Sequence, residues 1–470
     1  MAKTYLFYDL ETSGLNPRQD RIMQFAAIRT DLDFNQIGEP YNILVKLNND
    51  SLPSPDAIIL TGISPQQTVE EGYSEADFAR ILINDIFTTD TIIVGFNNIR
   101  FDDEFIRYLF WRTFYDPYEW HWKDGRSRWD LLDVVRMTRA LRPDGISWPT
   151  IEGKAVNKLE LITKQNGIEH LNAHDALSDV YALIEVTKLI SVKQPRLFQY
   201  LLNIRDKKQV QKLVNLDDKK AFVYTSGRLD AEHNKTTVAF PLTAGKNGNV
   251  VIYDLRYDPS KFLDMKSNEI SKKLNSTWGE RQDSDYVKLP IKELQYNSSP
   301  AVAPIGVLDS DNSWSSIHLD KEMIYKNQET LLSSAFFAEN VRSAYENITD
   351  YEKDSDAEAR LYDGFLADLD RLRIEKVRQS DSGALADLNP EFIDERLPDL
   401  LLHYKARNYP SSLSESEMDK WEKWRSNHVN KQIASFMKSI NAIKKKNLDN
   451  SQIFIVQELE LWLENIASDS

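Results

Sequence analysis

Residues 5–16 read YLFYDLETSGLN. Tyr5 to Tyr8, with Thr4 before them, are aromatic, β-branched or Leu, the composition of a buried strand. The strand ends in Asp9-Leu10-Glu11 and breaks at the turn formers Thr12-Ser13-Gly14 and Asn16-Pro17. Residues two apart in an extended chain point the same way, so Asp9 and Glu11 aim together. Two carboxylates converging at a strand end pack poorly and make good ligands for a hard divalent cation. An isolated Asp-x-Glu is more often a solvated edge pair, so the reading depends on what other acids the chain brings.

The chain has 470 residues, more than one core usually serves, and so predicts two or three domains. Hydrophobic residues at 41% and charged residues at 28% are those of a globular protein rather than a disordered one. No apolar run reaches the roughly eighteen residues that span a bilayer. A strand almost at residue 1 leaves no room for a signal peptide, and the absence of Cys excludes disulfides and thiolate chemistry. Both fit a cytoplasmic protein. With only 7 His, metal chemistry must lean on carboxylates, which suits Mg²⁺ or Mn²⁺ better than Zn²⁺. The net charge of −15 argues against nucleic acid as a partner, but bound cations or a local basic groove would answer that objection.

Outward from the opening strand, Ile22 to Thr30 and Tyr41 to Leu47 read as two more strands of an antiparallel meander. A helix is expected from Ser74 to Ile86, and Thr91 to Phe96 is an apolar strand of the doubly buried kind. It runs into Asn97-Asn98-Ile99-Arg100-Phe101-Asp102 and a helix from Asp103, where Asp102, Asp103 and Glu104 would also serve as ordinary first-turn acids. Asp130 reads as an N-cap. Asn172-Ala173-His174-Asp175 leads a long helix to Val192 that carries Asp179. His174 and Asp179 lie about 140° apart on a helix, so His174 must sit in the preceding loop to face Asp179. Tyr200 to Val214 is a further helix with a basic face. From 220 to 310 short strands (Ala221–Thr225, Thr237–Leu242, Val250–Leu255, Tyr286–Leu289, Val302–Leu308) predict a small antiparallel barrel, and beyond 350 only helical spacing remains.

Together, Asp9 and Glu11, Asp102 after Asn97 and Phe101, and His174 before Asp179 form an ordered set. It resembles the DEDDh 3′→5′ exonucleases, whose motifs are Asp-x-Glu, Asn-x-x-x-Phe-Asp and His-x-x-x-x-Asp. His170 and Asp175 share the third spacing; His174 with Asp179 is preferred because that Asp lies inside the helix. The stretches GFNNIRFDDEFIRYLF, FYDPYEW, SRWDLLDV, ALRPDGISWP, NGIEHLNAHDALSDVYA, KQPRLF and YKARNYP look like the bacterial exodeoxyribonuclease I family. The resemblance is strongest over 1–200 and weakest in the middle, around Asp309 to Leu319.

What the resemblance implies is an α/β ribonuclease H-like exonuclease domain (1–195), an SH3-like β-barrel domain (196–348) and an all-α C-terminal domain (349–470). It further implies single-stranded DNA held in a groove and cut from its 3′ end to 5′-mononucleotides, in DNA repair and recombination. Asp9, Glu11, Asp102 and Asp179 would hold two Mg²⁺ ions, with Mn²⁺ an alternative, and His174 would be the general base. Arg142 and Tyr200 match a docking site for the C-terminal tail of single-stranded DNA-binding protein. The protein is expected to act as a monomer, with no membrane partner. Three other readings stand beside this one. They are an RNA-trimming exonuclease, since the motifs do not encode the sugar; a non-catalytic single-strand-binding scaffold, against which the intact acids argue; and a proofreading subunit held by a polymerase.

Overall fold

The computed structural model describes residues 3–170, 175–283, 285–309, 313–348 and 353–468. The chain forms two compact units, one of Met1–Ser127, His170–Ile184 and Glu352–Ser470, the other of Arg128–Glu169 and Glu185–Tyr351.

In the first unit, β1 (Thr4–Thr12), β2 (Ile22–Thr30), β3 (Tyr41–Leu44) and β4 (Thr91–Gly95) lie in the order β3–β2–β1–β4. The first three run antiparallel, as the short spacing predicts, and β4 joins β1 in parallel with Tyr5 beside Ile92 and Phe7 beside Val94. Every residue of β4 is buried, consistent with an apolar run covered on both faces. The strand β1 continues to Thr12, so Asp9 and Glu11 lie in its last residues, as the sequence predicts. Two short helices, Pro55–Thr61 and Pro65–Glu71, each with Pro in the first turn, follow β3 and are separated by residues 62–64. The expected helix after Ser74 forms at Glu75–Ile81 and continues as a wider turn through Ile86. Helix α1 (Asp102–Arg112) follows β4, and α2 (Ala176–Lys193) carries Asp179 in its first turn.

One core packs Leu6, Tyr8 and Leu10 against Phe25, Phe78, Phe105 and Trp120. Two more are shared with the C-terminal helices. Met23, Leu47 and Ile58 pack with Phe436, Ile440, Leu459 and Trp462 from the helices Glu415–Ile443 and Asn450–Ser468. Tyr108, Trp111 and Phe114 pack with Leu361, Leu397, Leu400 and Tyr404.

The second unit holds β6 (Phe222–Thr225), β7 (Thr236–Ala244), β8 (Val250–Asp254), β9 (Ile291–Leu294) and β10 (Ala301–Pro304); β5 (Ser127–Asp130) stands at its start. The five form an antiparallel sheet in the order β9–β8–β7–β6–β10. The fourth strand expected at Tyr286–Leu289 lies instead at Ile291–Leu294, past Pro290, whose missing N–H cannot serve a ladder. The helix expected over Tyr200 to Val214 is two, Pro195–Ile204 and Lys207–Leu213. Asp206 starts the second by accepting from the backbone N–H groups of Lys208 and Gln209. Asp130 caps Leu131–Leu141 through the N–H of Leu132, as the sequence predicts.

Candidate metal centre and exonuclease site

The strand β1 supplies two acids. Asp9 pairs in register with Ala26 and Glu11 with Gln24, and then the ladder slips so that Thr12 faces Ile22. A bulge of this kind re-aims the side chain beside it, here Glu11. Helix α2 supplies Asp179, and one carboxylate oxygen each from Asp9, Glu11 and Asp179 lies within 4.8 Å of the others. Asp102 heads α1 and is 4% exposed. After burial, its charge is the largest influence raising the Asp9 carboxyl, which lies well above the ordinary carboxylate range. Glu11 is pushed up to about 8, first by burial and then by the charges of Asp179, Asp102 and Asp175. Carboxylates that raise one another in this way are held together at an electrostatic cost that a multivalent cation relieves. An all-oxygen donor set fits a hard cation, so these residues suit a metal ion.

The three consecutive acids of α1 divide their work. Successive residues of a helix point about 100° apart, so only Asp102 faces the β1 acids. Asp103, fully buried, accepts from the Tyr8 hydroxyl at 2.6 Å and from Asn98 Nδ2 at 3.2 Å. Glu104 accepts from Tyr362 (2.5 Å) and Arg107 (2.5 Å). Phe101 occupies the N-cap, and all three acids lie in the first turn, as the sequence also allowed, so Asp102 serves the helix start while facing the β1 acids. Tyr8 precedes Asp9 and Asp103 follows Asp102, so their hydrogen bond ties together the two backbones that carry facing acids.

Two further contacts set Asp179. The backbone N–H of Ala176, the first residue of α2, reaches Oε1 of Gln24 at 3.4 Å. Gln24 is 5% exposed, donates to Asn42 at 2.9 Å, and is the register partner of Glu11. A buried Gln inside the apolar run IMQFAAIRT is the one signal that sequence reading had for it. His170 Nε2 lies 2.5 Å from Asp179 Oδ1 with its side chain 5% exposed. His170 is therefore the described histidine that touches this acid, whereas His174, the expected base, lies outside the described residues.

In the second unit, the Tyr200 hydroxyl donates to Val302 O (3.1 Å) and Arg142 Nη2 to Val307 O (3.3 Å). Both side chains are half-buried against the segment that contains β10. Burial pushes the Tyr200 hydroxyl up to about 12, so it stays a donor at neutral pH.

A mixed sheet whose central strand carries Asp-x-Glu, with further acids on two helices, defines the ribonuclease H-like class of metal-dependent exonuclease domains. Residues 6–187 match the family model described as "Exonuclease", 205–347 the "Exonuclease I SH3-like domain" and 355–466 the "Exonuclease I C-terminal domain". The chain is 37% identical to exodeoxyribonuclease I of Haemophilus influenzae over 96% of both chains. It is 39% identical to that of Escherichia coli over 89% of this chain and 88% of the other. Among solved structures it superposes on E. coli exonuclease I in complex with a dA16 oligonucleotide, with a TM-score of 0.94 at 36% identity, covering 99% of this chain and 100% of the other. A zinc-bound form of the E. coli enzyme with single-stranded DNA superposes with a TM-score of 0.93 over 99% of this chain and 100% of that one, at 35% identity. The chain belongs to the exodeoxyribonuclease I family.

Proposed function

We propose that the protein is a 3′→5′ exonuclease that hydrolyses single-stranded DNA to 5′-mononucleotides in DNA repair and recombination. The observation that carries this reading is the convergence of Asp9, Glu11 and Asp179, with Asp102 close enough to raise two of them. These four acids would hold two Mg²⁺ ions. A bound pair supplies an acidified water and a counter-charge for the departing 3′ oxygen. His174 takes the proton of the attacking water, a role that the near-neutral pKa of an unperturbed imidazole suits. His170 and Gln24 hold α2 so that Asp179 faces β1. The three functional segments are 1–195 for chemistry, 196–348 for the SH3-like barrel and 349–470 for the helical clasp. Arg142 pairs with the terminal carboxylate of the single-stranded DNA-binding protein tail, and Tyr200 lines the apolar slot beside it. The protein works as a cytoplasmic monomer.

The test incubates wild type and Asp179→Ala with Mg²⁺ and matched 5′-labelled DNA and RNA single strands. A ladder shortening from the 3′ end on DNA alone, lost in the variant and with EDTA while strand binding survives, is the expected result. Equal or faster cutting of RNA would replace the reading with RNA trimming, and near-normal turnover by Asp179→Ala would remove the metal assignment.

A further inference from the structure

The unit that holds the carboxylate cluster also contains a second group of charges that the chemistry does not use. Arg21, Asp50, Glu75, Arg112, Glu358, His403 and Arg407 are all less than 9% exposed. Glu358 is the hub. Its Oε2 accepts from Arg21 Nη2 at 2.8 Å, and its Oε1 from Arg407 Nη1 at 2.5 Å and His403 Nδ1 at 2.8 Å. Arg407 continues to Asp50 through Nη2 at 2.7 Å, and Arg112 pairs with Glu75 at 2.6 Å. Unpaired, any of these groups would be costly to bury; together they balance three guanidinium groups against three carboxylates.

The position of Arg21 gives the group a direction. Arg21 immediately precedes Ile22, the residue that faces Thr12 across the bulge beside Glu11. Its backbone N–H donates to Ser13 Oγ at 2.8 Å, and its carbonyl accepts from the Ser13 N–H at 2.8 Å. Its guanidinium reaches back to the carbonyls of Gln19 (2.8 Å) and Asp20 (3.4 Å). The Ser13 carbonyl in turn accepts from the Ser54 N–H at 2.6 Å. One residue therefore gathers both ends of the 13–20 loop, its backbone holding Ser13 and its side chain Gln19 and Asp20, and that side chain is fastened to Glu358, 337 positions away in sequence.

We propose that Arg21, anchored by Glu358, is a positioning residue for the metal site, fixing the bulged end of β1 so that the Glu11 carboxylate meets those of Asp9 and Asp179. The inference rests on the reading of Glu11 as a metal ligand. It assigns the C-terminal segment a part in assembling the metal centre, separate from any hold on the strand. Groups that orient metal ligands from behind typically contribute about 10–100-fold to metal affinity or activity.

Arg21→Met tests it in the full chain: the variant loses the side-chain bonds to Gln19 and Asp20 and the ion pair at Glu358 Oε2, while Glu358 keeps Arg407 and His403 at its other oxygen. Mn²⁺ alone is titrated calorimetrically, without DNA. Affinity about tenfold weaker than wild type is expected, with the Ser13, Arg21 and Ser54 amides exchanging faster and those of Ile22–Thr30 unchanged. Cleavage is expected to lose kcat by a similar factor with KM for the oligonucleotide held, and Arg21→Lys to restore part of both. Ser13→Ala, which removes only the Oγ acceptor, provides a milder variant with the same expected direction should Arg21→Met not fold. Wild-type Mn²⁺ affinity in the folded variant, while Glu11→Gln loses Mn²⁺, would overturn the positioning role alone. Wild-type Mn²⁺ affinity in Glu11→Gln would overturn the metal reading beneath it.

Discussion

Replacing Glu11 by Gln keeps the side chain's size and removes one charge from the crowded cluster. In the folded chain the Glu11 carboxyl titrates at about 8 instead of 4.5, because it is buried and because Asp179, Asp102 and Asp175 repel its charge. A raised folded-state value means that the folded chain holds the proton more tightly than the unfolded one. The associated stability is complete below the unfolded value and is lost as pH rises through the folded one. At 1.36 kcal/mol per unit, raising the pH from roughly 5 to 8 removes about 3 kcal/mol through this group. EDTA-treated wild type and Glu11→Gln are to be unfolded in urea across that range, followed by the fluorescence of the 10 tryptophans. The stability difference, variant minus wild type, should grow by about 3 kcal/mol toward pH 8. Added Mn²⁺ should close the gap, since ligand at a hundred times its Kd stabilises the binding form by about 2.7 kcal/mol. Two parallel pH profiles would refute the account of the site as a set of mutually repelling acids.

The two histidines separate cleanly. His174→Ala should slow single-turnover cleavage by roughly 10²–10⁴ with DNA affinity held, whereas His170→Ala should weaken Mn²⁺ binding through its loss of contact with Asp179. An unchanged single-turnover rate in His174→Ala, with the loss seen in His170→Ala, would move the base role to His170. Arg142→Ala should weaken a peptide that ends in the acidic, apolar tail of single-stranded DNA-binding protein by tenfold or more, about the 1.4 kcal/mol of one charge-assisted pair. Unchanged peptide affinity would place the docking site elsewhere.

The acids of the candidate site were legible in the sequence because each sits in a local pattern: Asp9 and Glu11 in a strand, Asp102 at a helix start, Asp179 in the first turn of a long helix. Local period also located the β-rich middle and the helical end. It misplaced β9 by reading Tyr286–Leu289 as extended and passing over what Pro290 does to a ladder. The supporting contacts were hidden for a different reason. Nothing near Arg21 signals Glu358, and nothing near Met23 signals Phe436 or Trp462, because pairing across hundreds of residues leaves no periodic trace. Asp103 was read together with its neighbours, and only the turn of the helix sends it to Tyr8 while Asp102 faces the β1 acids.

The cores shared by the first strands and the C-terminal helices also bear on how the chain is made. Synthesis at about 5–20 residues per second delivers β1 and β2 within seconds, but the helices that cover Met23, Leu47 and Ile58 only after tens of seconds more. Until Glu358 leaves the ribosome, Arg21 lacks the carboxylate it is paired with, and its hold on the 13–20 loop is without its anchor. On the nascent chain, therefore, these cores remain open, and the first-made strands gain their full cover only when the last-made helices close over them.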